Sequence, residues 1–321
     1  MTSGLMRGGK IAILVPSYNG GSLLRETVMS AGSAGLPPDS YEILVSDNAS
    51  TDGSVTVLPE RDDLGAPISV RRNQSNLGRV ANWNCALSMA EEMGFSYAFF
   101  LMAGDVLVDR AIIDLRERMI RRDAVLGIAS CKIADEALRP VRMARRICWR
   151  GDPEAGLSAD RFLAQSLAQG AMLFAPLGAN LYRIDGGKRL RFDPADETHT
   201  DHLATALFVR ESQAPIVYLD RPISTWRRRP GRFHNSMTVA QRLAGDLRII
   251  ECACRASSLM PDYPRIRAGL LLRGTVFCQG NVLRAWRLAR DITGRRPISW
   301  SWLARLTFRL MRNGTPWLVR A

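Results

Sequence analysis

At 321 residues the chain is long for one compact domain and short for three, so one large or two smaller domains are expected. Apolar residues make up 46% and charged residues 23%, values that exclude a disordered or fibrous chain, and 6 cysteines are too few for a disulfide scaffold. The formal charge of +13 sits at one end: residues 221–321 hold 20 Arg, no Lys and 4 acidic residues, against 24 basic and 27 acidic residues in the first 220. Arg-favouring codons explain Arg over Lys but not the scarcity of Asp and Glu, so the tail is expected to face a polyanion.

In chain order, the apolar run at 10–15, closed by Pro16, predicts a buried strand. Residues 22–34 have helical spacing through Leu23, Leu24, Thr27, Val28 and Ala31, stopped by Gly-Leu-Pro-Pro at 35–38. Strands follow at 41–46 and 68–71, a helix at 78–93, a strand at 97–102, a helix at 109–122 with Asp109 as its cap, and a strand at 125–133. This alternation at short spacing is the pattern of a parallel sheet with crossover helices. The pattern then loosens: helix 158–168, strands 172–174 and 179–183, helix 200–210, strand 216–219. Beyond 236 only helices are predicted, at 237–255, 265–292 and 298–312.

The last helix sets Arg305, Arg309 and Arg312 on one face and Trp302, Leu303, Leu306 and Leu310 on another. It either packs on the domain with a solvated arginine face or lies on a membrane surface. No stretch of about 20 residues is apolar enough to span a membrane. The uncharged segment 162–182 is broken by polar residues and reads as a buried helix followed by a strand. The apolar run after Arg7 and Lys10 is too short for a signal peptide, so a cytoplasmic protein is expected.

Four segments carry candidate chemistry. I-L-V-P-S-Y-N-G (13–20) ends a strand and displays Ser17, Tyr18 and Asn19 at the sheet's carboxyl edge, where ligands of such sheets bind. I-L-V-S-D-N-A-S-T-D-G-S (43–54) is turn-forming by composition alone. Asp47, directly after its strand, can nevertheless accept a hydrogen bond from a uracil-type imide or a ribose. In R-R-N-Q-S-N-L-G-R-V-A-N-W-N-C-A-L (71–87), Gly78 permits a tight turn into a helix with Arg79, Asn82 and Asn84 on its first turns, a place to meet phosphate or base. F-F-L-M-A-G-D-V-L (99–107) delivers Asp105 to the same edge. An acid beside a diphosphate is repulsive unless a divalent cation bridges them.

Taken together and in this order, the four segments resemble the inverting glycosyltransferases of family 2. The resemblance implies the GT-A fold: α/β, Rossmann-like, with a mostly parallel doubly wound sheet, here followed by a helical C-terminal extension. It implies a nucleoside pocket lined by Pro16, Tyr18 and Asp47, with Arg79 and Asn82 near it. Asp105 would be the remaining member of the family's metal-binding D-x-D, holding Mn or Mg. Here the sequence departs from the family, because Met102, Ala103 and Gly104 precede Asp105 where further acids usually stand. The metal site is then weak, completed elsewhere or absent, and Arg227, Arg228, Arg229 or Arg232 could neutralise a leaving diphosphate instead.

In the second half, T-H-T-D-H-L-A-T-A-L-F (198–208) resembles the family's helix that opens with a general base, which assigns that role to Asp201. Capping the helix start is the plainer reading of the same residue. Residues 218–237 resemble the family's Y-R-x-H segment: Arg227 matches the Arg, Arg229 stands at the His position, and His234 is a displaced candidate. The implied organisation is a GT-A domain over 1–236, with a nucleotide-binding half 1–134 and an acceptor half 135–236, then a basic helical extension over 237–321.

The implied function is transfer of a sugar from a nucleotide-sugar to an acceptor hydroxyl with inversion. The basic, Trp-bearing tail suggests a saccharide or lipid-linked saccharide acceptor in bacterial surface-glycan assembly, met at an anionic membrane surface by a peripheral enzyme. A nucleic-acid-binding protein would leave the four loops without purpose and would lack any recognised motif. A non-catalytic sugar-nucleotide-binding or scaffolding protein on the same fold is the alternative, because the acidic turn is depleted.

Overall fold

A computed structural model describes residues 9–143, 152, 155–168, 177–187, 189–196, 199–228 and 239–254. Strand β1 (Ile11–Ser17) is buried along its whole length and sends alternate side chains to two cores. Ile11, Ile13 and Val15 face one, while Ala12 and Leu14 face the other. A strand covered on both faces needs no polar alternation, which is why it reads as a continuous apolar run.

Strands β2 (Tyr41–Asp47), β3 (Ile68–Arg72) and β4 (Tyr97–Phe100) extend β1 into a parallel sheet in the order β3-β2-β1-β4. The sheet continues through β8 (Asn180–Arg183), β6 (Leu126–Ala134), β9 (Ile216–Arg227) and β5 (Val106–Leu107), with β7 (Pro140–Met143) beside β6. In this half β8 runs antiparallel to both neighbours, whereas β6 and β9 are parallel.

Helices cover both faces, so the sheet is doubly wound. One core takes α1 (Gly21–Ser33) and α3 (Ala111–Arg122), through Leu24, Val28, Ile112 and Met119. The other takes α2 (Arg79–Glu92), α4 (Ala159–Ala168), α5 (Thr200–Ser212) and α6 (Val239–Cys254). Among its members are Trp83, Phe162, Phe208 and Ile249, and Trp83, Phe100 and Phe192 meet edge-on or tilted within it.

Most elements fall where the periodicity places them. Helix α3 begins at Ala111, and Asp109 holds that start by accepting the Ala111 N–H at 2.6 Å. Strand β9 is the main surprise, because it runs on from 219 to Arg227. Asp220-Arg221-Pro222 breaks its apolar pattern, and the ladder with β6 absorbs the break as register shifts around Ser130. Strands β5 and β7 are too short or too polar to stand out. Segment 162–182 does begin in a helix and end in a strand, and no helix among the described residues is long and apolar enough to cross a membrane. The strand expected at 172–174, the helices at 265–292 and 298–312, and Arg229, Arg232 and His234 lie outside the described residues.

Candidate active site

The parallel register sets the floor of the site. Ser17, Asp47 and Arg72 end β1, β2 and β3 and lie in one row, Ser17 against Asp47 and Asp47 against Arg72. Asp47 is fully buried. Its Oδ1 accepts the Ser50 N–H at 3.2 Å, folding the following loop back on itself. Its Oδ2 has no hydrogen-bond partner among the described residues and stands 3.6 Å from Arg72 Nη1. Ser17 Oγ, buried beside it, also lacks a partner. An unpaired buried polar atom costs about 1–3 kcal/mol. Two of them on adjacent strand ends point to a ligand whose polar groups complete the set. Pro16 is buried within β1, and Tyr18 is 51% exposed at the mouth.

The two loops above this row are laced together. Asn19 N–H donates to Ser50 Oγ at 2.9 Å, and Thr51 N–H donates to Asn19 Oδ1 at 2.8 Å. Asp52 receives the Gly21 N–H on one oxygen and the hydroxyl and N–H of Ser54 on the other. The Ser54 hydroxyl, followed by its N–H, holds the Asp52 carboxyl below the usual carboxylate range.

Neutral amides brace the row from the side of α2. Asn82 Oδ1 accepts from Ser46 Oγ (2.7 Å) and Asn73 Nδ2 (3.0 Å), while its Nδ2 donates to Ser46 O (3.0 Å) and Ser17 O (3.4 Å). Asn82 therefore stands beside the ends of β1 and β2, with its amide occupied by protein. Asn48 accepts from Asn73 Nδ2 and the Leu77 N–H, and donates to Asn76 Oδ1. Gly78, at φ 83°, makes the turn into α2 that a residue with a β-carbon would strain. The guanidinium of Arg79 lies 4.6 Å from the centre of the Trp83 ring, a cation–π contact that fixes its stem near the strand ends. Asn84 faces elsewhere and clamps the backbone of Phe192 through its N–H (3.0 Å) and carbonyl (2.7 Å).

The acidic turn is held by α1 and β9. Thr27 Oγ1 accepts the Gly104 N–H at 2.7 Å and donates to the Asp105 carbonyl at 2.8 Å. Asp105 is 7% exposed, and its Oδ1 accepts the Arg227 N–H at 3.0 Å. The Arg227 side chain is buried, with Nη2 2.6 Å from Glu26 Oε1 and Nε without a partner among the described residues. Burial, with the Asp105 charge adding to it, pushes the nearby Cys131 thiol up to about 12.

This set does not fit a divalent cation held by the protein. One carboxylate is present, one of its oxygens already takes an N–H, and Glu26 is paired with Arg227. Among the described residues no three His, Cys, Asp or Glu side chains converge as metal ligands. The cation expected at Asp105 therefore has no set of three side-chain ligands among the described residues. Arg228 is exposed, and its N–H bonds the Ala134 carbonyl at 2.8 Å.

Asp201 lies in the first turn of α5, its side chain 17% exposed. Its Oδ2 stands 3.9 Å from His202 Nε2, and its carbonyl accepts Thr205 Oγ1 at 2.7 Å. Thr205 Oγ1 also meets the buried Tyr182 hydroxyl at 2.8 Å, so β8 supports this turn from beneath. Burial raises the Tyr182 phenol well above its ordinary value, which keeps it neutral. Sequence reasoning passed over Thr27, Glu26, Asn48 and Asn73. Only Asn48 and Asn73 carried a signal, as amides flanking the ends of β2 and β3.

Residues 12–174, half of the chain, match the family described as Glycosyl transferase family 2, and the chain belongs to that family. It is 29% identical over 108 residues to the poly(ribitol-phosphate) beta-N-acetylglucosaminyltransferase TarP of Staphylococcus aureus (strain N315), covering 33% of this chain and 32% of TarP. It is 36% identical over 81 residues to the abequosyltransferase RfbV of Salmonella typhimurium, covering 25% of this chain and 24% of RfbV. The chain thus spans a third or less of these relatives. The S. aureus TarS 1–349 structure with UDP-GlcNAc superposes with a TM-score of 0.64 at 17% identity, over 85% of this chain and 74% of that one. The mannosyltransferase PcManGT of Pyrobaculum calidifontis, solved with GDP-Man and Mn2+, gives 0.57 at 15% identity over 97% and 84%. These structures share the GT-A fold.

Proposed function

We propose that this protein transfers a sugar from a nucleotide-sugar to a hydroxyl of a saccharide acceptor, with inversion at the anomeric carbon. The observation that carries the reading is the buried pair of unbonded oxygens, Ser17 Oγ and Asp47 Oδ2, at the carboxyl ends of adjacent central strands. A carboxylate oxygen accepts a ring N–H, which uracil, thymine and guanine possess and cytosine lacks. Tyr18 stacks on the base and Pro16 shapes the pocket floor. Arg79 approaches the phosphates, and Asn82 keeps the strand ends in place.

Asp201 acts as general base. It takes the proton of the acceptor hydroxyl as that oxygen bonds to the anomeric carbon, while the bond from that carbon to the diphosphate oxygen breaks on the opposite face. The nucleoside diphosphate leaves with the electron pair. Its charge meets arginine rather than a cation held by Asp105, with Arg227 placed beside the turn. The basic tail supports an acceptor at an anionic membrane face, including a lipid-linked saccharide, since each basic residue there contributes about 1 kcal/mol.

Thermal unfolding against UDP, GDP, dTDP and CMP, each with Mn2+, Mg2+ or EDTA, tests this. One imide-bearing nucleotide is expected to stabilise the protein by about 2.7 kcal/mol at a hundredfold excess over its dissociation constant. The shift is expected to persist in EDTA. No response to any nucleotide would overturn the donor assignment. The depleted acidic turn favours the scaffolding reading as the second choice, and a nucleotide-binding protein with no transfer activity would establish it.

A further inference from the structure

Helix α6, the first element of the basic extension, is built into the acceptor half. Leu247, Ile249 and Ile250 are buried in the same core as Leu203 and Phe208 of α5. The closest approach is at Gly245. A β-carbon there would stand 1.9 Å from His199 Nδ1, where real contacts require at least 3.0 Å. The imidazole of His199 is thus seated directly on the α6 backbone. Its Nε2 stands 3.5 Å from Asp246 Oδ1 of the same helix.

Arg248 extends the grip along the chain. Its Nη1 and Nη2 stand 3.3 Å from Asp196 Oδ2 and Asp193 Oδ2 respectively. Asp196 Oδ1 accepts the His199 N–H at 3.2 Å. His199 immediately precedes α5, two residues before Asp201. Asp193, Asp196 and His199, which precede the helix bearing Asp201, are therefore all met by α6. Arg248 is half exposed, so its ion pairs define direction more than they add stability. The steric fit at Gly245 dominates.

We infer that Gly245, Asp246 and Arg248 are positioning residues for Asp201, so that the extension aligns the active site. This rests on Asp201 being the base proposed above. A methyl group at Gly245 must displace His199, and a misplacement of about 1 Å in a reacting geometry costs on the order of 100-fold in rate.

The experiment is a cycle of Gly245→Ala and His199→Ala in the full chain, reading kcat, donor KM and nucleotide-induced thermal shift. Gly245→Ala is expected to lower kcat about 100-fold, with donor KM and thermal shift unchanged. In the His199→Ala background it is expected to do nothing further, because the obstructing ring is gone. Equal losses of kcat and donor binding, additive effects of the two substitutions, or an unchanged kcat would each overturn the inference. Should Gly245→Ala fail to fold, Arg248→Ala carries the test: a kcat loss with donor binding intact, recovered in Arg248→Lys, supports positioning, and no loss overturns it. Asp201→Asn is measured alongside. If it stays active, the base assignment fails; if it is inactive while Gly245→Ala runs at the wild-type rate, the positioning role fails.

Discussion

The two halves of the fold hold their loops by different chemistry. Around Ser17, Asp47 and Asn82 the connections are mostly hydrogen bonds among amides, hydroxyls and backbone, made at paired strand ends and the first turns of α2, with Arg72 beside Asp47 as a charged pair among them. Beyond residue 190, charged pairs tie later stretches of chain to distant ones: Arg191 to Glu91, Arg221 to Asp109 and Asp114, and Arg248 to Asp193 and Asp196. The first arrangement sits where strands are already paired in the sheet. The second depends on elements that meet only after the whole domain has folded, and it is open to screening by salt.

Four substitutions or titrations sharpen this contrast. The largest effect is expected from Asp201→Asn, which removes the proposed general base and should lower kcat by about 10³-fold. Nucleotide-induced thermal shifts should be preserved, since the donor half is untouched. A comparable loss of nucleotide binding would show that the halves are not separable. Asp47→Asn comes next. It exchanges a charged acceptor for a neutral one, and a hydrogen bond to a charged group is worth about 1.5–3 kcal/mol. Donor KM should rise by about one to two orders of magnitude while acceptor KM stays constant, which initial-rate kinetics would settle.

Asn82→Ala strips a four-bond brace and leaves Ser46 and Asn73 groups unpaired, a destabilisation of about 1–3 kcal/mol. Differential scanning calorimetry should report a fall in Tm on the order of 5 °C. An unchanged Tm would show that Asn82 serves a ligand and not the fold. The smallest effect concerns Cys131. Its thiol is pushed up to about 12 by burial, so alkylation at pH 8 should spare it in the native protein and modify it in denaturant. The native state keeps this proton where an unfolded thiol, near pKa 9, has lost it. Its contribution to stability is therefore complete below pH 9 and declines as pH rises from there toward 12.

The same contrast decides what could be read from the chain. The place of Asp47 was legible because a residue ending a buried parallel strand must sit at the sheet's carboxyl edge, whatever the rest of the molecule does. Asn82 was legible in location but not in orientation. Helical spacing places it near β1 and β2 without saying whether its amide turns to a ligand or to Ser46. The start of α5 around Asp201 was readable from its pattern, yet the close approach of Gly245 to His199 was not, because nothing local links a glycine in a helix to a histidine more than forty residues earlier. Strand β9 was cut short for a related reason: Pro222 ends a strand in sequence terms, and only the bulged ladder with β6 lets it continue.

Thr27 carries a consequence for how this family diversifies. Its hydroxyl grips the Gly104 N–H and the Asp105 carbonyl, groups every residue type would offer at those positions. The grip of Thr27 is thus on main chain, while the side chains of Met102 and Ala103 pack against the two cores. Gly104 is the exception, since its φ of 97° penalises any side chain. An acid placed at Met102 or Ala103 would keep the Thr27 hydrogen bonds but exchange packing on a core for a charge that needs a partner.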